Sequence, residues 1–300
     1  MRTAFNVFLL VFLILSSCAK KDVVKLPITT SSTKALEYFE RAMLSYQVGD
    51  YPECQADLDS ALTLDSDFAM ALEMYESQNP RERKEHEKKA KSLFTNISEA
   101  EKKIINIREG YREGNMDKAL ESAHWLVNNN GDSYESYVWL GIVQSDRYEL
   151  DDATEALKNA IELNPNCYDA YNILMGHHIG AGDQVMLPIE KRNIELGMKY
   201  GDELIRIRGD HGYPYHFKAN VYRQLGEFEK AKPLYEKSIE KRKGRSSEST
   251  AYLVSGHNYM FSGDLKTARE RYNKAIELQK EPNWKFVLSF YLTVSHIFDN

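Results

Sequence analysis

The residues with the most chemistry to offer are one charged run, five late histidines and three cysteines. His86-Glu87-Lys88-Lys89-Ala90 begins like the helix of a zinc protease, where two imidazoles one turn apart hold the metal and the glutamate acts as base. Ala90 stands where the second histidine would be, so Arg81 to Lys91 reads as a solvated helix face. Its Glu85–Lys89 and Glu87–Lys91 pairs would each add roughly 0.2–0.5 kcal/mol. His177-His178, His211, His216 and His257 gather in the later half, but the sequence places no carboxylate or thiolate beside them. They read as packing or groove histidines, and no metal is expected. There is no G-x-S-x-G elbow, phosphate-cradling glycine loop or paired-cysteine signature. The expectation is a protein that is not an enzyme and needs no cofactor.

The stretch from Ser249 to Pro282 shows what kind of element carries these residues. Apolar positions with helical period run from Tyr252 through Gly256 and Tyr259, stop at Gly263, restart after Asp264, and continue through Leu265, Ala268, Tyr272, Ala275 and Ile276. That pattern is a helical hairpin of about 34 residues, and its spacing resembles the tetratricopeptide repeat (TPR), with small residues at positions 8, 20 and 27, aromatics near 11 and 24, and glycine at 15. Projected along the chain, the pattern starts units near Ala35, Ala69, Ala100, Tyr134, Tyr168, Gly212 and Ser249. Position 20, where the two helices of a hairpin approach most closely, is small in every unit: Cys54, Ala90, Ala119, Ala153, Gly197, Ala231 and Ala268. Position 15 is Gly49, Gly114, Gly182, Gly226 and Gly263, with Tyr148 the exception. The resemblance implies an all-α, right-handed TPR solenoid of about seven hairpins over residues 34–298, closed by a helix over 283–298.

Two units are irregular. The second should have a first helix that stops before Asn79-Pro80, followed by a charged helix from Arg81 to Phe94, and Ser98 with Glu101 forms a capping box that opens the third. In the fifth, the first helix should end at Gly182 and the second resume near Ile194. The surplus is then Asp183 to Arg192, with Pro188 suited to the first turn of a lengthened helix.

The N-terminus is of another kind. Arg2 precedes an apolar run from Ala4 to Leu15, too short for a comfortable membrane span, and residues 1–17 read as a signal peptide. Leu15-Ser16-Ser17-Cys18 resembles the lipobox of bacterial lipoproteins, which implies acylation at Cys18 and a place in the bacterial envelope. Ala19 rather than Asp after the cysteine implies the outer membrane. Residues 18–33 read as a polar tether. The formal net charge is −6 with no basic stripe, a poor match to nucleic acid. Cys54 and Cys167 fall in units far apart, and stacked repeats contact only their neighbours, so both should be free thiols.

By resemblance to the family, positions 2, 5, 9, 12 and 13 of each first helix line a concave groove for a protein or peptide partner. These are Phe39, Met43 and Tyr46 in the first unit, Ile104, Arg108 and Tyr111 in the third, and Val138, Ile142 and Asp146 in the fourth. Asn172 follows in the fifth, and Tyr213, His216, Asn220, Arg223, Leu253, His257, Met260 and Phe261 belong to the last two. The groove of units six and seven is expected to be the principal contact surface. The terminal helix carries Trp284, Leu288, Tyr291 and Val294 on one side and Phe286, Phe290, Thr293 and Ile297 on another. It reads either as a cap in the last groove or as an apolar docking surface for a partner or a second copy. The function expected is a membrane-tethered adaptor assisting envelope assembly; the alternative is glycan capture by a lipoprotein with a TPR scaffold.

Overall fold

The structure, a computed structural model, describes residues 22–298 except 76, 78 and 181–184. The signal-peptide and Cys18 readings therefore lie outside the described residues. Fifteen α-helices are described, and no strand appears among the described residues. They pair as α1 (Thr33–Gln47) with α2 (Tyr51–Leu64), α3 (Ala69–Met74) with α4 (Pro80–Ser92), and α5 (Glu99–Glu113) with α6 (Met116–Asn129). Next come α7 (Tyr134–Asp146) with α8 (Leu150–Leu163) and α9 (Tyr168–Ile179) with α10 (Ile194–Arg208). The last pairs are α11 (Tyr213–Gln224) with α12 (Phe228–Arg242) and α13 (Glu248–Phe261) with α14 (Leu265–Leu278), and α15 (Pro282–Ile297) packs on α14. The all-α TPR solenoid is what the chain forms.

The small-residue rule accounts for the hairpins. All seven position-20 residues are buried, and a larger side chain there would enter the opposite helix. Gly256 gives the same constraint from the first helix, because a Cβ would stand 2.6 Å from the Tyr272 ring. Gly49, Gly114, Gly226 and Gly263 all take positive φ at the turn between helices. Tyr148 takes φ 62° at the equivalent turn despite its side chain. The capping box forms as expected, with the Ser98 hydroxyl accepting the Glu101 N–H and the Glu101 carboxylate accepting the Ser98 N–H.

Four expectations need correction. α9 ends at Ile179 with Gly180 as its left-handed cap, and Gly182 lies outside the described residues. Pro188 begins no lengthened helix: the described part of the insertion is irregular chain with a single 3₁₀ turn, Ile189–Lys191, before α10. The charged helix α4 makes neither of the two expected pairs. Arg81 and Arg83 bond Glu85 and Glu87, while Lys89 reaches Asp67 and Lys91 reaches Glu109 in adjoining elements. The lysines thus tie neighbouring repeats together instead of bracing one helix surface.

The fourth correction concerns the tether. Residues 24–31 run across the N-terminal ends of the first helices, against the order of the units. Val24 bridges to Ser133, and the Leu26 N–H donates to Glu135 Oε2 (2.6 Å). The Thr29 N–H and hydroxyl donate to Glu101 (2.8 and 2.6 Å), and the Ser31 N–H and Thr30 hydroxyl donate to Asp65 (2.7 and 2.6 Å). Ser32 then caps α1. Leu26 is buried in the core of the first four units.

Contact also reaches beyond neighbouring repeats. Val48, at the first turn, packs among Tyr168, Tyr171, Met175, Leu204 and Val221 of units five and six. The Tyr213 hydroxyl donates to the Gly49 carbonyl (3.3 Å), the Ser246 hydroxyl to Asp50 (3.0 Å) and Arg245 to Glu53 (3.2 Å). The superhelix is tight enough to bring the first hairpin against the fifth and sixth units. Cys54 and Cys167 nonetheless form no disulfide, and both are buried.

Candidate functional site

The concave side of units one to four holds a cavity of about 860 Å³. All nine groove residues that the family rule names in units one, three and four line it: Phe39, Met43 and Tyr46; Ile104, Arg108 and Tyr111; Val138, Ile142 and Asp146. The irregular second unit explains why the space exists. α3 has only six residues, about 9 Å of helix, so it fills little of the inner face. Met70, Glu73 and Met74 of α3 and Arg83, Lys84 and Glu87 of α4 border the cavity that remains. Leu26 and Ile28 of the N-terminal segment form part of the wall, and Trp139, Tyr134, Glu135 and Asp169 complete the far side.

The polar groups of this chamber are mostly paired. Glu73, fully buried, accepts from Arg108 Nε (3.1 Å) and from Arg112, whose guanidinium also lies 3.6 Å from Glu87. The Tyr111 hydroxyl donates to Asp146 (2.6 Å), and burial together with that carboxylate pushes its pKa well above the phenol range. Asp169 accepts from Gln47 Nε2 (2.7 Å), yet burial raises its pKa to about 6. Burial likewise raises Glu135 in spite of the Leu26 N–H. The result is an apolar and aromatic floor with an arginine–glutamate cluster at one side and two carboxylates of raised pKa at the other. Such a surface suits an amphipathic chain segment.

The residues picked from units six and seven come together, but mainly with one another. The Arg242 guanidinium, fully buried, lies 3.5 Å over the Tyr213 ring and 3.2 Å from His216 Nδ1. Burial lowers the Arg242 pKa to about 10 and, aided by Arg242, holds His216 well below its ordinary value. Asn220 accepts from the Tyr235 hydroxyl (2.7 Å), and Arg223 reaches the Val254 carbonyl (3.4 Å). His257 Nδ1 is 2.8 Å from the Tyr272 hydroxyl, its ring meets Tyr291 of α15 edge-on at 4.5 Å, and burial lowers its pKa to about 4. Leu253 is core beside Leu288, and Met260 Sδ lies 3.5 Å from the Tyr272 hydroxyl. Phe261 is broadly exposed. α15 packs against the unit-seven part of this wall, with Tyr291 on His257 and Leu288 beside Leu253.

On α15 itself, Leu288 and Ser295 are buried and Tyr291 is half-buried, while Trp284, Phe286 and Phe290 face solvent. Trp284 therefore does not share the packed side with Leu288. Among the described residues no group of three His, Cys, Asp or Glu side chains could hold a metal ion. One arrangement absent from the sequence reading resembles a nucleophile and its base: Ser145 Oγ lies 3.0 Å from His177 Nε2. It is buried, Ser145 donates to the Gly141 carbonyl (2.7 Å), and His177 Nδ1 has no hydrogen-bond partner to orient it. Burial lowers the His177 pKa to about 4. That is packing geometry.

Comparison with known proteins agrees with the hairpins. Residues 213–281 match the tetratricopeptide repeat family model. The chain is 23% identical over 172 residues to the protein CTR9 homolog of Arabidopsis thaliana, a match over 56% of this chain but only 15% of that relative's length. Yeast Tom70 superposes with a TM-score of 0.57 at 14% identity, over 88% of this chain and 54% of that one. A tetratricopeptide repeat protein from Parabacteroides merdae gives 0.48 at 16% identity, over 88% of this chain and 100% of that one. The class is an α-solenoid of helical hairpins. Within it, the tetratricopeptide-repeat model falls on units six and seven, and the same helical-hairpin geometry continues through units one to five.

Proposed function

We propose that this protein is a non-catalytic scaffold that holds another polypeptide in the chamber of units one to four. The supporting observation is the chamber itself: concave-face residues from four successive hairpins converge on about 860 Å³ of largely apolar space, enough for several side chains of an extended or amphipathic segment. Acylation at Cys18 would tether the scaffold to the bacterial outer membrane, and the partner would then be an envelope polypeptide under assembly. Leu15-Ser16-Ser17-Cys18 supports that part of the reading. Among the described residues no helix is long and apolar enough to cross a membrane.

Glycan capture is the second reading, favoured by Tyr46, Tyr75, Tyr111, Tyr134 and Trp139 around the same chamber, since aromatic faces also stack on sugar rings. Cross-linking the protein in its native envelope and identifying what co-purifies separates the two. A captured polypeptide is expected; retention on a polysaccharide column without any cross-linked polypeptide would overturn the scaffold reading.

A further inference from the structure

The N-terminal segment is held in an unusual way. Residues 24–31 make one isolated bridge, Val24 to Ser133, and otherwise take their backbone partners from side chains. Glu101 and Glu135 stand at the second position of units three and four, in the first turns of α5 and α7, while Asp65 is the C-cap of α2 just before α3. Each accepts a main-chain N–H from the segment: Ser31, Thr29 and Leu26 in turn. Two of them also take a hydroxyl from Thr30 or Thr29. Leu26 and Ile28 point the same way, into the chamber wall. Pro27 lacks an N–H, has its own φ fixed and turns Leu26 before it away from the helical region, which suits the extended path.

We propose that Asp65, Glu101 and Glu135 form a backbone-reading track, a peptide site along the edge of the chamber, and that residues 24–31 are its resident occupant. The ligand class is an extended segment that presents N–H groups to three successive carboxylates, with apolar side chains at the Leu26 and Ile28 positions and hydroxyls at the two that follow. Three carboxylates on three helices select for spacing along the peptide, while the hydroxyls supply charge-assisted bonds that other side chains would not. Because the occupant belongs to the same chain, its effective concentration is on the order of millimolar, and a free peptide competes poorly. A partner segment of the same pattern that displaced it would also open the chamber wall made by Leu26 and Ile28.

The test uses the full chain and a fluorescein-labelled synthetic peptide of residues 22–32. Anisotropy should show negligible binding to the wild type. Binding at least tenfold tighter is expected for L26D/T29P, which weakens the resident segment but leaves the track. Adding E135A to that variant should reverse the gain by at least tenfold; Glu135 caps no helix, so the repeats keep their ends. A folded L26D/T29P protein that binds no peptide, or binds equally with and without Glu135, overturns the proposal. Hydrogen exchange on the wild type decides independently of whether the variants fold. The Leu26, Thr29 and Ser31 amides should exchange at least tenfold faster than the mid-helix amides of α5 and α7, by local release. Equal rates would make the segment part of the cooperative core and overturn the proposal.

Discussion

Single residues in this solenoid carry strain and charge that stability measurements can read. Tyr148 holds φ 62° in a turn where four other units use glycine, and its side chain is 75% exposed, so little packing offsets the conformation. Tyr148→Gly should stabilise the protein by about 1 kcal/mol in urea titrations, the left-handed penalty of a non-glycine residue less the entropy of the added glycine. The histidines give a pH dependence. His177 and His257 are lowered to about 4, and His216 well below its ordinary value, all chiefly by burial. Between pH 6.5 and 4 the unfolded chain binds protons that the folded one refuses, so their stabilising contribution is complete above 6.5 and declines as the pH falls. His177 alone accounts for roughly 3 kcal/mol across that window. Asp169 opposes them: raised to about 6, it favours the folded state most when protonated, and its contribution is lost as the pH rises through 6. The net expectation is a melting temperature level above pH 6.5 that drops towards pH 4, with a steeper drop in Asp169→Asn. A melting temperature that rises on acidification would contradict this.

At the scale of elements, the repeat pattern is legible because it is enforced by contact. Ala119, Ala153, Ala231 and Ala268 are fully buried, and no larger residue fits where two helices meet at 8–10 Å. Helix ends marked by glycine and the Ser98–Glu101 box are equally local. The N-terminal segment was not legible, because its partners Asp65, Glu101 and Glu135 lie up to 109 residues away and nothing in a polar, proline-containing stretch indicates docking. α15 was legible as a helix but not in its facing. Leu288 is packed against the Tyr272 cluster while Phe286 and Phe290 are exposed. Leu288→Asp should therefore cost about 2–4 kcal/mol through an unpaired buried charge and lost packing. Phe286→Ser with Phe290→Ser should change stability by less than about 0.5 kcal/mol. If the phenylalanine pair alters sedimentation instead, the exposed face is an interface between copies.

Across the whole molecule, the tight superhelix determines where the concave residues end up. All nine residues that the family rule names in units one, three and four line the chamber, since the inner face follows from position within each hairpin. It could not say which part of the groove stays open. The short α3 opens the early units, α15 packs on the seventh, and the Val48 cluster draws the first hairpin against the fifth and sixth. These are long-range consequences of two irregular elements and the superhelical pitch, none of which a repeat period encodes. The central claim is that the open chamber, and not the covered wall, takes the partner. Capture from the native envelope by three forms of the full-length protein tests it most directly: wild type, Val138→Asp with Ile142→Asp, and Arg223→Glu with Met260→Asp. With helicity retained in all three, loss of the captured polypeptide only in the Val138/Ile142 form is the result expected; loss only in the Arg223/Met260 form would contradict the account.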